Sequence, residues 1–412
     1  MSKLFRYIFG ADVHKAPLLS LLLLIFLCSS FVVCYKIYSS SLAYILWIMT
    51  FLTIVFVQSK TKRESAVIMS TACIIIVCSL STIFNGEDLR ATVLVSSEII
   101  LAGMIAYKYS FDTFIEGFIS LMRALCIISL IFFFVYLLFP QLNSVNVITN
   151  PNGVSASNMI LYVHTGLFRN QSFFWEPGAF QSFVSMALLF ELSREKPNMI
   201  SVYLFIASVI TTFSTTGYVC VVAIMLWYFL SGRGEAGIFV KICLGLIVLG
   251  GIAYVYAGDL LFSTSSHSTF GKLINVQDYG LERNGEATSA SIRYYSVVKP
   301  FELFLEYPLF GCGYETLRQN LYFYTYGMNT CTFVNYFAVY GVLLGLFSMI
   351  GYYKFSRFLS KVWWEKLYLL VIFFLITATE DYVNNAFFYF PIVYGFTRQY
   401  SPNRLKFSSS RT

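Results

Sequence analysis

Apolar segments follow one another along almost the whole chain, and they restrict its fold more than any other feature. A membrane-crossing helix needs roughly 20 predominantly apolar residues. Charged residues make up only 12% of the chain, against about 25% in a soluble domain. The sequence therefore predicts a single integral membrane domain over residues 1–412, an all-α polytopic protein with about twelve transmembrane helices. The predicted spans are 16–34, 41–57, 66–84, 91–107, 120–139, 178–192, 199–213, 217–230, 242–257, 333–353, 367–378 and 386–396.

Basic residues gather on one side of this arrangement. Of the 28 lysines and arginines, most lie at the two termini or in every second connector, whereas the short connectors between them hold only Lys36 and Arg90. Cytoplasmic loops are enriched in Lys and Arg, so both termini are predicted to be cytoplasmic and the long connectors 140–177 and 258–330 to face outside. The same bias explains the net charge of +7, which does not indicate binding of nucleic acid.

The first long connector ends in a passage that mixes charge with aromatic residues. Arg169 is followed by Asn-Gln-Ser-Phe-Phe-Trp and then by Glu176 and Pro177. Proline suits the first turn of a helix, and a carboxylate is favourable at the positive N-terminal end. We therefore expect a charged pair at the mouth of the bundle, where the sixth span begins. The next outer turn, 211–217, is very short and rich in hydroxyl groups.

The second long connector is the longest polar stretch of the chain. A helix is predicted over residues 290–299, interrupted by Pro300, with Ser289, Arg293 and Ser296 on one face. Further on, residues 308–313 form the run Pro-Leu-Phe-Gly-Cys-Gly. Cys312 and Cys331 flank the end of this connector and could pair in an oxidising compartment or equally stay unpaired. The other seven cysteines are predicted to be small apolar packing residues.

These two passages resemble the O-antigen polymerase and O-antigen ligase superfamily of bacterial envelope glycosyltransferases. The similarity lies in Arg169 through Glu176-Pro177, in Arg293 followed by residues 308–313, and in the turn 214–217. The resemblance implies a bundle like that of the GT-C glycosyltransferases in the bacterial inner membrane, with its site on the periplasmic side. It implies an undecaprenyl-diphosphate-linked glycan as substrate and no metal or nucleotide cofactor. Membrane lipids, a chain-length regulator and a flippase would be its partners.

One departure from the family pattern separates its two branches. Ligases usually carry a His-Asn pair just before the span that follows the large loop, where this chain has Asn-Thr-Cys-Thr-Phe at 329–333. The only histidines are His14, His164 and His267. This favours the polymerase branch. An O-antigen ligase remains an alternative, as does a transporter or flippase of a lipid-linked glycan, although no paired repeats or broken helices are evident in the sequence.

The reaction implied by the resemblance requires stabilisation of a departing diphosphate. Guanidinium groups can bind it bidentately while staying protonated, so Arg169 and Arg293 are the first candidates. The structural alternatives are an ion pair of Arg169 with Glu176 and an interfacial position for Arg293. The basic residues Arg283, Lys299 and Arg318 are weaker candidates for substrate binding.

Transfer also requires a base for the acceptor hydroxyl, and Glu176 is best placed to serve. The pair Glu380-Asp381 is a second acidic candidate, or else a solvated turn. Tyr294 and Tyr324 are candidates for contact with sugar rings, although an interfacial aromatic belt explains such tyrosines equally well. Glu98, inside the fourth span, is either functional or paired with a hydroxyl group.

Overall fold

The computed structural model describes residues 16–31, 41–56, 65–149, 155–159, 162–164, 169–233, 289–325 and 329–397. Within these residues the chain is dominated by helices, as predicted for an all-α polytopic protein. The helices are α1 (Ala16–Ser29), α2 (Ser41–Phe56), α3 (Ser65–Asn85), α4 (Leu89–Lys108), α5 (Phe111–Leu138), α6 (Pro177–Leu192), α7 (Met199–Thr211), α8 (Thr215–Leu230), α9 (Ser289–Glu306), α10 (Tyr314–Thr325), α11 (Thr332–Phe355), α12 (Trp363–Thr377) and α13 (Ala386–Phe396).

A helix occurs at eleven of the twelve predicted spans, and the remaining one, 242–257, lies outside the described residues. Three helical segments are long and apolar enough to cross a membrane: Ser65–Asn85, Phe111–Leu138 and Thr332–Phe358. Several others, including α7, α8 and α13, are apolar but shorter. The multi-pass membrane fold is therefore confirmed, while the number of crossings stays a prediction.

The two long connectors contain more regular structure than the sequence predicted. The first holds a three-stranded antiparallel sheet of β1 (Val147–Thr149), β2 (Ser155–Met159) and β3 (Tyr162–His164). Strands this short carry too few residues for a clear period-two pattern, and none was predicted here.

In the second connector, the prediction that Pro300 ends a helix was wrong. Helix α9 continues through this proline to Glu306. Proline removes one backbone donor from a helix interior, but Pro300 is buried and α9 packs along both α10 and α11. Tertiary packing therefore outweighs the local cost of the proline.

Helix α11 is broken in its middle, where Gly341 adopts φ 74° and ψ −172°. The segment 308–313 fills the break. The amides of Cys312 and Gly313 donate to the carbonyls of Ala338 and Val339 at 2.8 and 3.2 Å, and the Val342 amide donates to the Pro308 carbonyl at 2.8 Å. These bonds replace those that an unbroken helix would form within itself.

The glycines of this junction are required by close backbone contact. A Cβ on Gly341 would lie 2.1 Å from the Leu309 oxygen, and one on Gly311 would lie 2.3 Å from the Val339 backbone. Both residues have positive φ, which side chains other than glycine rarely adopt. The Pro-Leu-Phe-Gly-Cys-Gly run thus has a structural role, because it fixes the end of α9 against α11.

The short turn before α13 is packed inside the bundle. The Glu98 carboxylate accepts a hydrogen bond from the Ala386 amide at 3.0 Å, at the start of α13. The Asn385 side chain caps the same helix and donates to Ser30 Oγ at 3.0 Å. Tyr382 stacks on Phe388 with ring centroids 3.8 Å apart. Glu98 therefore anchors α13, which gives this intramembrane carboxylate a structural explanation.

Candidate functional site

Arg169 is fixed beside the turn that joins α7 to α8. Its Nε donates to the Thr212 carbonyl at 3.0 Å. The neighbouring Asn170 is fully buried, and its amide donates to the Thr211 carbonyl at 2.8 Å while its side-chain oxygen accepts from Ser129 Oγ at 2.7 Å. Asn170 thus ties this passage to both α5 and α7, which sets the position of the arginine next to it.

Arg293 reaches the same turn from the other long connector. It lies in the second turn of α9, and its Nη1 donates to Thr215 Oγ1 at 3.0 Å. The turn itself is ordered by Ser214, whose Oγ caps α8 by accepting from the Gly217 amide. Two arginines that are far apart in sequence are therefore held by one hydroxyl-rich turn.

Two carboxyl groups face these arginines. Glu176 occupies the N-cap position of α6, directly before Pro177, and is exposed. Glu380 comes from the turn between α12 and α13, and a Cβ on Gly178 would lie 2.9 Å from its Oε1. The Glu380 carboxyl therefore lies against the first turn of α6, close to the N-cap residue Glu176.

Hydrogen bonds from other helices hold the turn that carries Glu380. Thr332 Oγ1 donates to the Glu380 carbonyl and accepts from the Tyr382 amide, both at 2.8 Å. Gln181 on α6 donates to Thr379 Oγ1 at 2.8 Å. The reading of this stretch as a solvated turn was wrong, because contacts with residues about 50 and 200 positions away order it.

Asp381, the other acid of this turn, has a separate set of partners. It accepts from the Tyr314 hydroxyl at 3.1 Å and from the Val383 amide at 3.2 Å. Burial raises the pKa of Asp381, and these hydrogen bonds oppose the rise. Asp381 therefore links α10 to the turn rather than facing the arginines.

We call Arg169, Arg293, Glu176 and Glu380 the arginine–carboxylate cluster. Burial lowers the pKa of both guanidinium groups, and the two glutamates oppose that effect. Burial raises the pKa of Glu380 well above its ordinary value; the charge of Glu176 raises it further, while Arg293 opposes the rise. The four side chains thus share one electrostatic environment.

The cluster is not closed by direct ion pairs. Among the salt bridges of the described residues, none joins Arg169 or Arg293 to a carboxylate within 4.0 Å. Each arginine instead donates to a neutral oxygen of the α7–α8 turn. A guanidinium carries five N–H donors, so this arrangement suits the bidentate binding of a phosphate or carboxylate.

Two of the other basic candidates, Lys299 and Arg318, have partners outside the cluster. Lys299 pairs with Glu302 on its own helix at 2.7 Å and lies over the Tyr324 ring at 4.6 Å. Arg318 pairs with Glu315 at 3.2 Å and is mostly exposed. Arg283 lies outside the described residues.

The aromatic candidates lie on the same two helices as Lys299 and Arg318. Tyr294 is exposed beside Arg293 and meets the Tyr295 ring edge-on, while Tyr324 lies 4.8 Å from Tyr295 on the other side. Their contact with sugar rings stays a prediction. His164 is buried in β3 and stacks on Tyr136 at 4.6 Å.

From the sequence, Glu380 was only a second acidic candidate, and Thr215 was not assigned to the site. The signals were present in the hydroxyl-rich turn 211–217 and in the adjacent acids at 380 and 381. Within the described residues, Cys312 and Cys331 are both buried as unpaired thiols. No group of three His, Cys, Asp or Glu side chains in the same residues is arranged to hold a metal ion.

Comparison with known proteins gives one result. Residues 200–337 match the family model described as O-antigen ligase. This region, about a third of the 412 residues, contains the α7–α8 turn, Arg293 and the run at 308–313. The match supports the O-antigen ligase and polymerase superfamily, and with it a role in general as a glycosyltransferase-like membrane enzyme. It does not separate polymerases from ligases.

No curated protein and no solved structure matches the chain.

Proposed function

We propose that this protein is a polysaccharide polymerase of the bacterial inner membrane. It transfers the growing glycan from undecaprenyl diphosphate onto an incoming repeat unit carried by the same lipid. The observation that supports this most directly is the arginine–carboxylate cluster, in which two arginines from separate connectors meet on one turn. Among the residues with a described structure, no carboxylate lies within 4.0 Å of either guanidinium group.

In this proposal the arginines bind the diphosphate of the donor. As the sugar–oxygen bond to the diphosphate breaks, the bonding electrons leave with the carrier, and Arg169 and Arg293 stabilise the negative charge. Fixed donors placed where charge develops typically contribute about 10²–10³ in rate each. They need no movement to do so, because the α7–α8 turn holds both side chains.

The acceptor hydroxyl in this scheme loses its proton to Glu176. Glu176 is exposed at the start of α6, and its charge opposes the lowering of the pKa of both arginines. General-base catalysis by a positioned side chain is worth about 10²–10⁴ in rate. The carboxylate therefore lies beside the site where the donor diphosphate would bind, as the transfer requires.

A ligase is the second candidate, and the description of the matching family model favours it. A ligase uses the same donor but transfers the finished polymer to lipid A core. Against it, the stretch 329–333, where ligases usually carry a histidine, contains none. In this stretch the Thr332 hydroxyl group supports the Glu380 turn.

Deletion of the gene separates the two functions. Loss of a polymerase leaves surface glycans with a single repeat unit, whereas loss of a ligase leaves long polymer that is not attached to lipid A core. We expect the single-repeat pattern, restored by the wild-type gene. An unchanged distribution of long polymer attached to lipid A core would exclude both functions, and unattached long polymer would favour the ligase.

A further inference from the structure

The two carboxyl groups of the cluster lie near each other. Glu176 precedes α6 and Glu380 lies between α12 and α13, yet the charge of Glu176 and hydrogen bonding to it raise the pKa of Glu380. The position of the Glu380 carboxyl against Gly178 supports the same geometry. Ionised carboxylates only accept hydrogen bonds, so a contact of this kind requires one proton on the pair.

The environments of the two side chains indicate which one carries that proton. Glu380 is half-buried, whereas Glu176 is exposed at the mouth of the bundle. Removal from water disfavours the charged form of a carboxyl group. Burial and then the charge of Glu176 raise the pKa of Glu380, which favours the protonated form of Glu380.

We propose that Glu380 acts as a neutral partner that donates a hydrogen bond to Glu176 and positions it to accept the proton of the acceptor hydroxyl. This inference rests on the proposed function. Glu380 is a positioning residue, because only Glu176 contacts the acceptor. In the transfer step the acceptor O–H bond breaks and its proton moves to Glu176. The acceptor oxygen bonds to the anomeric carbon, and the carrier diphosphate departs with the electrons of the broken bond.

A neutral Glu380 also changes the charge of the cluster. Two guanidinium groups and one carboxylate leave a net charge of +1, which attracts a diphosphate. If Glu380 ionised as well, the net charge would be zero and two like charges would be in contact. The charged or titratable groups that face Glu380 are Glu176 and Arg169 before α6, Arg293 on α9 and Tyr382 on its own turn; the Trp175 side chain also donates a hydrogen bond to it.

The support of the Glu380 turn fits a positioning role. Thr332 fixes the backbone on both sides of Asp381, and Gln181 fixes Thr379 from α6. The same helix therefore carries Glu176 at its start and the anchor of the Glu380 turn one turn later. This arrangement fixes the distance between the two carboxyl groups.

The test compares glutamine and alanine substitutions in the purified full-length protein, reconstituted with lipid-linked repeat units. Glutamine imitates a protonated glutamate because it is neutral and can donate a hydrogen bond. We expect Glu380→Gln to keep polymer formation within about threefold of wild type at pH 7. We expect Glu380→Ala to lose at least about tenfold, and Glu176→Gln to lose about 10²–10⁴-fold because it removes the base.

The pH profile supplies a second readout. The protonated form of Glu380 is the active one, so wild-type activity should fall as pH rises through the pKa of this group. Glu380→Gln cannot ionise at this position, so that fall should be absent. Glu315, an exposed acid on α10, provides the control, since Glu315→Gln should change neither the rate nor the pH profile.

Two results would overturn the inference. If Glu380→Gln were as inactive as Glu176→Gln, Glu380 would have to act as an ionised base. If Glu380→Gln kept the wild-type fall at high pH, another group would be titrating. Both results assume that the wild-type protein makes polymer; failure of the wild type to do so would refute the proposed function instead.

Discussion

Helices α6 and α8 carry charged groups at both ends, and the two ends are built differently. At the end where both helices begin, the arginines of the arginine–carboxylate cluster donate to neutral oxygens. At the other end, about 24 Å away along α6 at 1.5 Å per residue, two arginines pair with carboxylates. Arg194 pairs with Glu191 at 3.4 Å and Arg233 pairs with Glu365 at 3.3 Å.

The difference separates a structural role from a binding role. Glu191 and Glu365 are buried, and a buried carboxylate needs a partner charge to remain ionised. Direct pairing meets that need. In the arginine–carboxylate cluster the guanidinium groups keep N–H donors that can bind an added anion. The first end is therefore the candidate site, and the second end stabilises the bundle.

The largest loss of activity should follow removal of an arginine from the arginine–carboxylate cluster. We expect Arg169→Ala and Arg293→Ala each to lower polymer formation by about 10³-fold, since each removes a positive charge that stabilises the departing diphosphate. Lysine at either position should recover part of the activity, because it keeps the charge but cannot bind bidentately. The measurement is polymer yield at matched protein abundance.

The control for these variants is Arg318→Ala on α10, which removes an exposed arginine from the same long connector. It should leave polymer yield unchanged. Wild-type chain length in both cluster variants would remove these arginines from the site.

At the closed end, the expected effect is on stability rather than on turnover. Arg233→Ala leaves Glu365 buried without its partner, which should cost about 3–5 kcal/mol. We expect lower abundance and a lower Tm, with unchanged activity per folded molecule. Arg90→Ala, which breaks an exposed pair with Asp88, is the control and should change neither quantity. A tenfold loss of activity in folded Arg233→Ala would contradict a purely structural role for this end of the bundle.

A smaller loss of activity should follow substitution in the α7–α8 turn, which holds the two arginines of the arginine–carboxylate cluster. Thr215→Val removes the hydrogen bond to Arg293 while keeping the shape of the side chain. Hydrogen bonds to charged groups are worth about 1.5–3 kcal/mol, so polymer formation should fall by about tenfold or more. Thr215→Ser keeps the hydroxyl and should stay near wild type. Equal activities of the two variants would show that the bond does not position Arg293.

The smallest effect is expected at Lys299. Its pair with Glu302 lies within one exposed helix face and should contribute less than about 1 kcal/mol. Lys299→Gln should change polymer yield by less than twofold and leave the Tm unchanged. A loss of polymer yield comparable to that of Arg293→Ala would show that the site extends along α9 beyond the arginine–carboxylate cluster.

Local patterns in the sequence were sufficient for part of this account. Apolar runs located eleven of the described helices, and Pro177 with Glu176 marked the start of α6 correctly. The passages containing Arg169 and Arg293 were also expected to form one site, and the structure brings them to the same turn. These features depend on composition, helix-end chemistry and family resemblance, all of which are visible within short windows.

The remaining features depend on contacts between distant parts of the chain. Glu380 belongs to the cluster because Thr332 and Gln181 hold its turn, and no local pattern shows those partners. The break of α11 at Gly341 is stable only because residues 308–313 supply the missing hydrogen bonds. Helix α9 passes through Pro300 because its neighbours hold it.

We propose that the arginine–carboxylate cluster binds the diphosphate of a glycan donor during covalent transfer. The most direct measurement uses the purified protein in lipid nanodiscs with undecaprenyl-diphosphate-linked repeat units, and counts carrier molecules released against new glycosidic linkages. We predict one carrier per linkage for the wild type and neither product for the folded double variant Arg169→Ala/Arg293→Ala. Wild-type turnover in that variant, or movement of the glycan across the bilayer without any new linkage, would contradict the claim.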